Sequence, residues 1–416
     1  MITKKKNSSK LIPTLFLSFI SFFILMGYSF IRPIVDAMFI QKYGSDNLPY
    51  IWIATGIIIF ISVSLYNRFV RGYKILTLVL YTSIVSFLIL CILWIMLLFK
   101  VNSIEALCYV IKDIYIMFIL EQVWTLASLV YNENTAKKYY GIMMAIATVG
   151  SFLGNIIEAS IVKTFGSVYT LLFGLLCMLI AIIIEAYVMS RPHVIGFKNE
   201  TMENWKESVS ISGGFNIIFK KKYIFMIFLL VLLIQFVTAE IDLAFNGFVE
   251  KNVHLLDDKS QFFGYLNSSI DGLSLFFNLT TTMALLKYLG IFFVLFGGPI
   301  IQMAWSLIFY LFPLLAVITG LKIFNKSCDY SLYRAAKEML YLPLSYEEKN
   351  KSKAIIDVMT YRIGKSIAAA FILLFKSIFS SNPDSLTITI IVTAGIWIFI
   401  VYILRVEYIK VKNEKN

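Results

Sequence analysis

Histidine is almost missing from this 416-residue chain, with two copies, and charge is scarce, with Asp, Glu, Lys and Arg together at 15%. The two histidines, His193 and His254, fall in loops predicted on opposite sides of a membrane, so they cannot share a zinc ion. The cysteines Cys91, Cys108, Cys177 and Cys328 are scattered through apolar stretches without a CxxC pair, which excludes a sequence-evident metal site or disulfide framework. No glycine-rich phosphate loop and no Walker signature occurs, which excludes ATP hydrolysis as the driving force. No cofactor is implied and no enzyme chemistry is expected. The scarcity of charge also excludes an ordinary soluble domain, where about a quarter of residues are charged.

What is abundant is apolar: 59% of residues are hydrophobic and the mean hydropathy is +0.81. Apolar runs of about twenty residues, enough to cross a hydrocarbon core, recur throughout. About twelve spans can be drawn on that length rule, near 11–32, 47–67, 75–99, 107–131, 141–163, 168–190, 223–246, 262–284, 288–310, 313–341, 353–379 and 386–408. The predicted class is an all-α polytopic membrane protein. The run from Leu11 to Ile31 is too long for a signal-peptide core and reads as the first span.

A net charge of +12 could suggest nucleic acid, but the cations flank spans instead. Lys4, Lys5, Lys6, Lys10, Arg68, Arg71, Lys74, Lys137, Lys138, Lys220, Lys221, Lys222, Lys349, Lys351, Lys410, Lys412 and Lys415 all fall in segments of one predicted side. Positive charge marks the cytoplasmic side, so both termini and the central segment are expected there, and no nucleic-acid partner is expected. The organisation reads as an N-terminal half over 1–190, a central cytoplasmic loop over 191–222 and a C-terminal half over 223–416, with six helices in each half.

Six plus six helices around a basic central loop is the plan of the major facilitator superfamily, whose halves enclose a substrate site near the midplane. The loop "LYNRFVRGYK" (65–74) has the basic residues of that superfamily's signature but not its usual Gly and Asp. The resemblance therefore rests on architecture. A faint repeat agrees with it. "NENTAKKYYG" (132–141) between helices four and five and "SYEEKNKSKA" (345–354) between helices ten and eleven are charged turns at equivalent places.

Charges within spans are costly and face a cavity or a partner. Arg32 and Asp36 stand four apart on helix one, on one face. Helix four carries Lys112, Asp113 and Glu121, helix seven Glu240 and Asp242, and helix eight Asp271. Helix ten carries Asp329, Arg334, Lys337 and Glu338, and helix eleven Asp357, Arg362 and Lys365. On helix ten, Tyr330, Tyr333, Arg334, Lys337 and Tyr341 recur at steps of three and four, a face with two cations among three tyrosines. Such a face suits an anion bearing an aromatic ring; it equally suits inter-helix salt bridges with interfacial tyrosine anchors. Glu121 and Glu240 each lie in an apolar run and are candidates for proton carriage or for gating through a salt bridge. "GSFLG" (150–154) reads as a helix-packing motif, "FGGP" (296–299) as a kink, and Glu158 and Glu185 as residues near the ends of their spans.

The stretch "KEMLYLPLSYEEKNKSKAIIDVMTYRIGKS" (337–366) resembles the hallmark segment of the nucleotide transporter family, the ATP/ADP translocases of obligate intracellular bacteria and plastids. The correspondence is carried by Lys337, Glu338, Met339, Tyr341, Pro343, Leu344, Lys351, Lys353, Ala354, Ile356, Asp357, Gly364, Lys365 and Ser366. "LEQVWTLASLVYN" (120–132) and "AEIDLAFNGFVEK" (239–251) are similar to the family's segments around two functional glutamates, here Glu121 and Glu240. "SFIRPIVDAMF" (29–39) resembles the end of its first helix, where Arg32 stands near a lysine that the family uses. Lys351-Ser352-Lys353 departs from a Lys-Gly-Lys, "GKSIAAA" departs from GKSGG, and the chain is shorter than typical members.

The resemblance implies a secondary transporter of nucleotides by alternating access, as an exchanger or a proton symporter. Its substrate contacts would be Arg32, Tyr330, Arg334, Lys337, Arg362 and Lys365, with Glu121, Glu240 and Asp357 coupling or gating. The alternative is a proton-coupled carrier of another small organic anion on the same fold. The expected setting is a bacterial inner membrane, the expected partners are the bilayer and a small anion, and the expected state is a monomer.

Overall fold

The structure, a computed structural model, describes residues 11–69, 73–131, 133–192, 217–345, 348–349, 352–353, 356, 360–378 and 383–413. Its long helices are α1 (Leu11–Tyr43), α2 (Leu48–Phe69), α3 (Ile75–Leu98), α4 (Ile104–Val130), α5 (Glu133–Phe165) and α6 (Ser167–Ser190). They continue with α7 (Lys222–Asn252), α8 (Leu256–Tyr288), α9 (Ile291–Leu311), α10 (Leu315–Leu340), α11 (Tyr361–Ile378) and α12 (Pro383–Asn413). About twelve helices were expected from span length, and helices of that order are found. Among the described residues, nine are long and apolar enough to cross a membrane. The other three, α4, α10 and α11, are helices that carry the intramembrane charges named above.

Among the described residues, α8 and α10 change pitch midway. Phe277–Thr281 in α8 and Asp329–Tyr333 in α10 are π-helical, and these two turns pack against each other. A π turn inserts a residue into the α repeat, rotating everything beyond it, and is common near functional sites.

The chain forms two compact units. The first holds Met1–Lys42, Ile58–Lys206 and Val253–Asp271; the second holds Tyr43–Ile57, Glu207–Asn252 and Gly272–Asn416. Each unit thus includes a segment from the other half of the sequence. The start of α2 belongs with the second unit and the first half of α8 with the first. In the second unit α7 packs on α12, α11 and α10 and is buried along most of its length. In the first, α3 packs on α4 and α6.

Small residues set the closest approaches in the first unit. A Cβ on Gly150 would lie 2.5 Å from the carbonyl oxygen of Phe22, and one on Gly154 would lie 2.7 Å from that of Met26. The "GSFLG" motif therefore draws α5 onto the α1 backbone, where side-chain packing and small residues replace the hydrophobic drive that lipid removes. Gly297 on α9, by contrast, has open space around it. Gly150→Ala should destabilise the protein by about 1–3 kcal/mol through overpacking. Gly297→Ala should be neutral or stabilise it by up to about 1 kcal/mol by lowering helix entropy loss. Thermal unfolding of the two purified variants would show opposite or clearly unequal shifts.

"FGGP" lies inside α9, which runs through Pro299. Its function is a seat. A Cβ on Gly298 would collide with the Tyr333 ring, whose hydroxyl also receives a hydrogen bond from Gln302 Nε2 at 3.4 Å. Gln302 in turn donates to Asn325 Oδ1 at 2.7 Å, and Asn325 donates to Thr238 at 3.1 Å. This buried chain locks α7, α9 and α10 around the π turn.

Candidate functional site: a lysine cluster around Asp242

The second unit brings three ammonium groups to one carboxylate. Asp242 on α7 lies 3.3 Å from Lys322 Nζ, 3.6 Å from Lys326 Nζ and 3.2 Å from Lys365 Nζ. Lys322 and Lys326 are four apart on α10 and so share a face; Lys365 reaches in from α11. The Asp242 side chain is 7% exposed, as against 34% for Lys365, so the cluster has a buried anion at its base and a more open cation at its rim. Three like charges this close repel one another strongly in a medium of reduced dielectric constant, and the shared carboxylate holds them together. Aromatic faces help. Lys322 sits 3.9 Å from the centre of the Phe245 ring and Lys365 4.1 Å from that of Trp52, both within cation–π range.

Each residue of the "GKS" triplet has a separate structural task here. A Cβ on Gly364 would press on Gln235 of α7 at 3.0 Å, so glycine permits the close α7–α11 approach. Lys365 donates to Asp242 Oδ2 at 3.2 Å. Ser366 donates to the Trp52 carbonyl at 2.9 Å, tying α11 to the start of α2 and holding the ring beneath Lys365.

The face predicted on α10 is divided. Tyr333 and Tyr341 are 1% and 0% exposed and Lys337 is 5% exposed, whereas Tyr330 is 38% exposed and Arg334 is also exposed. The π turn at Asp329–Tyr333 lies among them and breaks the regular step of three and four that the reading assumed. Tyr333 packs edge-on against Trp397 at 5.3 Å and belongs to the core. Glu240 is 1% exposed and accepts a hydrogen bond from Thr393 of α12 at 2.6 Å. Asp357 and the side chain of Arg362 lie outside the described residues.

In the first unit Arg32 Nε and Asp36 Oδ2 are 3.9 Å apart, as their spacing predicted, and Lys112 joins them at 3.2 Å from Asp36 Oδ1 and 2.8 Å from Asp113. Lys112 is 3% exposed and lies over the Tyr109 ring at 3.9 Å. Glu121 is exposed on α4 beside the buried Gln122, which donates to Tyr66 and to Thr82 at 2.8 Å each. In the charged turn after α10, Glu348 accepts from Lys221 and from the Ser345 amide. The hydrogen bond from Lys221, helped by Ser345, holds its carboxyl down at about 2 from the usual 4.5. Nearby, Lys353 pairs with Glu338 at 2.6 Å.

Sequence reasoning named Asp242 and Lys365 but passed over Lys322 and Lys326. A signal was present. Positions 322, 326, 330, 333 and 337 continue the same helical spacing one and two turns toward the start of α10, and lysines inside an apolar span need a partner.

Comparison with known proteins agrees with these features. Residues 291–408 match the family model described as TLC ATP/ADP transporter. Over 92% of this chain and 92% of the relative, the sequence is 22% identical to ADP,ATP carrier protein 3 of Rickettsia bellii. A stretch of 147 residues, 33% of this chain and 23% of the relative, is 36% identical to the chloroplastic ADP,ATP carrier protein 1 of Arabidopsis thaliana. Among solved structures, the nucleoside transporter NupG superposes with a TM-score of 0.67 at 14% identity, covering 95% of this chain and 99% of that one. A bacterial homologue of the iron transporter ferroportin gives 0.65 at 11% identity, over 96% and 98%. Residues 291–408 thus resemble the TLC ATP/ADP transporter family, and the chain is similar along most of its length to ADP,ATP carrier proteins and shares its fold with solved transporters such as NupG.

Proposed function

We propose that this protein is a secondary transporter that moves nucleotides across a membrane by alternating access. The observation that carries the substrate class is the lysine cluster: Lys322, Lys326 and Lys365 gathered at Asp242, with Trp52 under Lys365. Phosphate groups are bound by ammonium and guanidinium groups, and an indole face can stack on a base. We place the phosphate contacts on this cluster together with Arg334, Lys337 and Arg362, and the ring contacts on Tyr330. Arg32, beside Lys112 in the first unit, is a further candidate cation. Glu240, buried against Thr393, and Glu121 and Asp357 are assigned to coupling or gating. ADP,ATP carriers among the relatives support the nucleotide reading over another small organic anion.

Uptake of a radiolabelled panel of nucleoside mono-, di- and triphosphates into cells or proteoliposomes carrying the protein tests this. We expect saturable uptake that unlabelled nucleotide on the opposite side stimulates. Uptake of none of the panel, with transport of a non-nucleotide anion instead, would transfer the cluster to that alternative.

The setting proposed is a bacterial inner membrane with both termini and the central segment in the cytoplasm, on the strength of the Lys and Arg bias. Residues 193–216 of that segment lie outside the described residues. Single cysteines at Asn204 and Asn252 should label in opposite ways: an impermeant thiol reagent added outside intact cells should reach the second and not the first. The reverse pattern would invert the assigned orientation.

A further inference from the structure

Glu158 on α5 is 0% exposed, although its position had suggested only the end of a span. Its Oε1 accepts a hydrogen bond from Ser260 of α8 at 2.6 Å. Its Oε2 is buried with no hydrogen-bond partner. That oxygen is pressed against Gly264 of α8, where a Cβ would collide with it, and the carbonyl oxygen of Asn155 crowds the same spot at 3.0 Å. Gln261 fastens the helices beside it by donating to the Ala159 carbonyl at 2.8 Å. An ionised carboxylate with one buried oxygen unsatisfied would be very costly there. A proton on Oε2 turns an orphaned acceptor into a donor.

We propose that Glu158 is a proton-binding site of this carrier, occupied while α5 and α8 are in contact and vacated when they part. The contact joins the first half of the sequence to the second, within the first unit. The inference rests on the reading of the chain as an alternating-access carrier, because it requires α8 to leave α5 during the cycle. The step is a plain acid–base one: the O–H bond of Glu158 breaks, the proton passes to water, and the carboxylate stays ionised and hydrated until the helices close. Since the closed state binds one more proton, raising the pH must favour the parted state, by up to about tenfold per pH unit.

Other ionisable groups face this contact. On α8, Asp257 accepts from the Ser167 amide and hydroxyl, Asp258 pairs with Lys163 of α5 at 2.7 Å, and Lys259 reaches Gln41 of α1. Asp271 is held by Ser151 at 2.6 Å and by Asn155 at 3.0 Å. His254 precedes α8 in the loop. Each has to be separated from Glu158 by substitution.

Nitroxide labels on Ser160→Cys and Ser269→Cys, both at exposed positions, would report the α5–α8 spacing by electron paramagnetic resonance, with native cysteines replaced by alanine. Substrate is left out, so the result is independent of whether nucleotides are the cargo. We expect the population at longer distance to rise at least about tenfold from about pH 5 to about pH 9, and this response to vanish in Glu158→Gln but persist in His254→Gln. Infrared difference spectra should show the carbonyl band of a protonated carboxylic acid at neutral pH, absent from Glu158→Gln and shifted in frequency in Ser260→Ala. Should Glu158→Gln fail to fold, the Ser260→Ala shift decides alone. A pH response unchanged in Glu158→Gln, or a carboxylic acid band unmoved in Ser260→Ala, overturns the proposal. Absent nucleotide uptake with the pH response intact would overturn only the cargo assignment.

Discussion

Asp242→Ala is expected to be the most damaging single change in the second unit. It removes a carboxylate that lies within 3.6 Å of Lys322, Lys326 and Lys365, so that the repulsion among the three cations loses its shared counter-charge. Breaking a buried ion pair by deleting one partner typically costs about 3–5 kcal/mol, a large share of a typical domain's stability. Purified Asp242→Ala should therefore melt far below the parent protein or fail to accumulate. Adding Lys322→Met should recover part of the loss, because Lys322 sits deepest and its alkyl stem already lies on Phe245 at 3.9 Å from the ring centre. A double variant no more stable than Asp242→Ala would mean that charge repulsion is not what the carboxylate offsets.

Lys365→Gln should separate transport from folding. Lys365 is the most open of the three lysines at 34% exposure, so its loss relieves repulsion while Asp242 keeps two partners. Stability should change little. Loss of a charge-assisted contact to phosphate costs about 1.5–3 kcal/mol, or roughly tenfold to a hundredfold in apparent affinity for nucleotide. Lys349→Ala, in the solvated turn after α10, should leave uptake within about twofold, as expected of a surface charge. Initial uptake rates over a range of nucleotide concentrations would show the contrast. Equal effects of the two substitutions would remove the cluster from the substrate path.

The helical class and approximate number of helices are legible because spans announce themselves by length and apolarity. α7 and α12 illustrate this, with apolar runs that match their helices closely. The charged helices are harder. α10 reads as one span, but its π turn is not written in any residue type; it follows from how Tyr333 must fit against Gly298 and Trp397. Tyr330 and Arg334 are exposed while Tyr333 and Lys337 are buried. The Arg32–Asp36 pair was legible because its spacing is local to one helix. The grouping of Asp242 with Lys322, Lys326 and Lys365 was not, since it depends on three helices meeting. The burial of Glu158 is not legible for the same reason: its place near the end of a span says nothing of what a neighbouring helix covers.

The segments Tyr43–Ile57 and Val253–Asp271 belong to units built mostly from the opposite half of the chain, and this sets the order in which the protein can mature during synthesis. Ser45 meets Glu250 across 205 residues, and the Trp52 carbonyl meets Ser366 across 314. The start of α2 is made early, yet its partners on α7 and α11 leave the ribosome much later. Until then Trp52, 4% exposed in the finished protein, has only lipid or a chaperone to cover it. The first half can reach its helical content unaided but not its final packing, since Glu158 and Asp271 also wait on one another's helices. Assembly should therefore be late and concerted, and a chain stopped in the central segment would leave two incomplete pieces instead of one finished half.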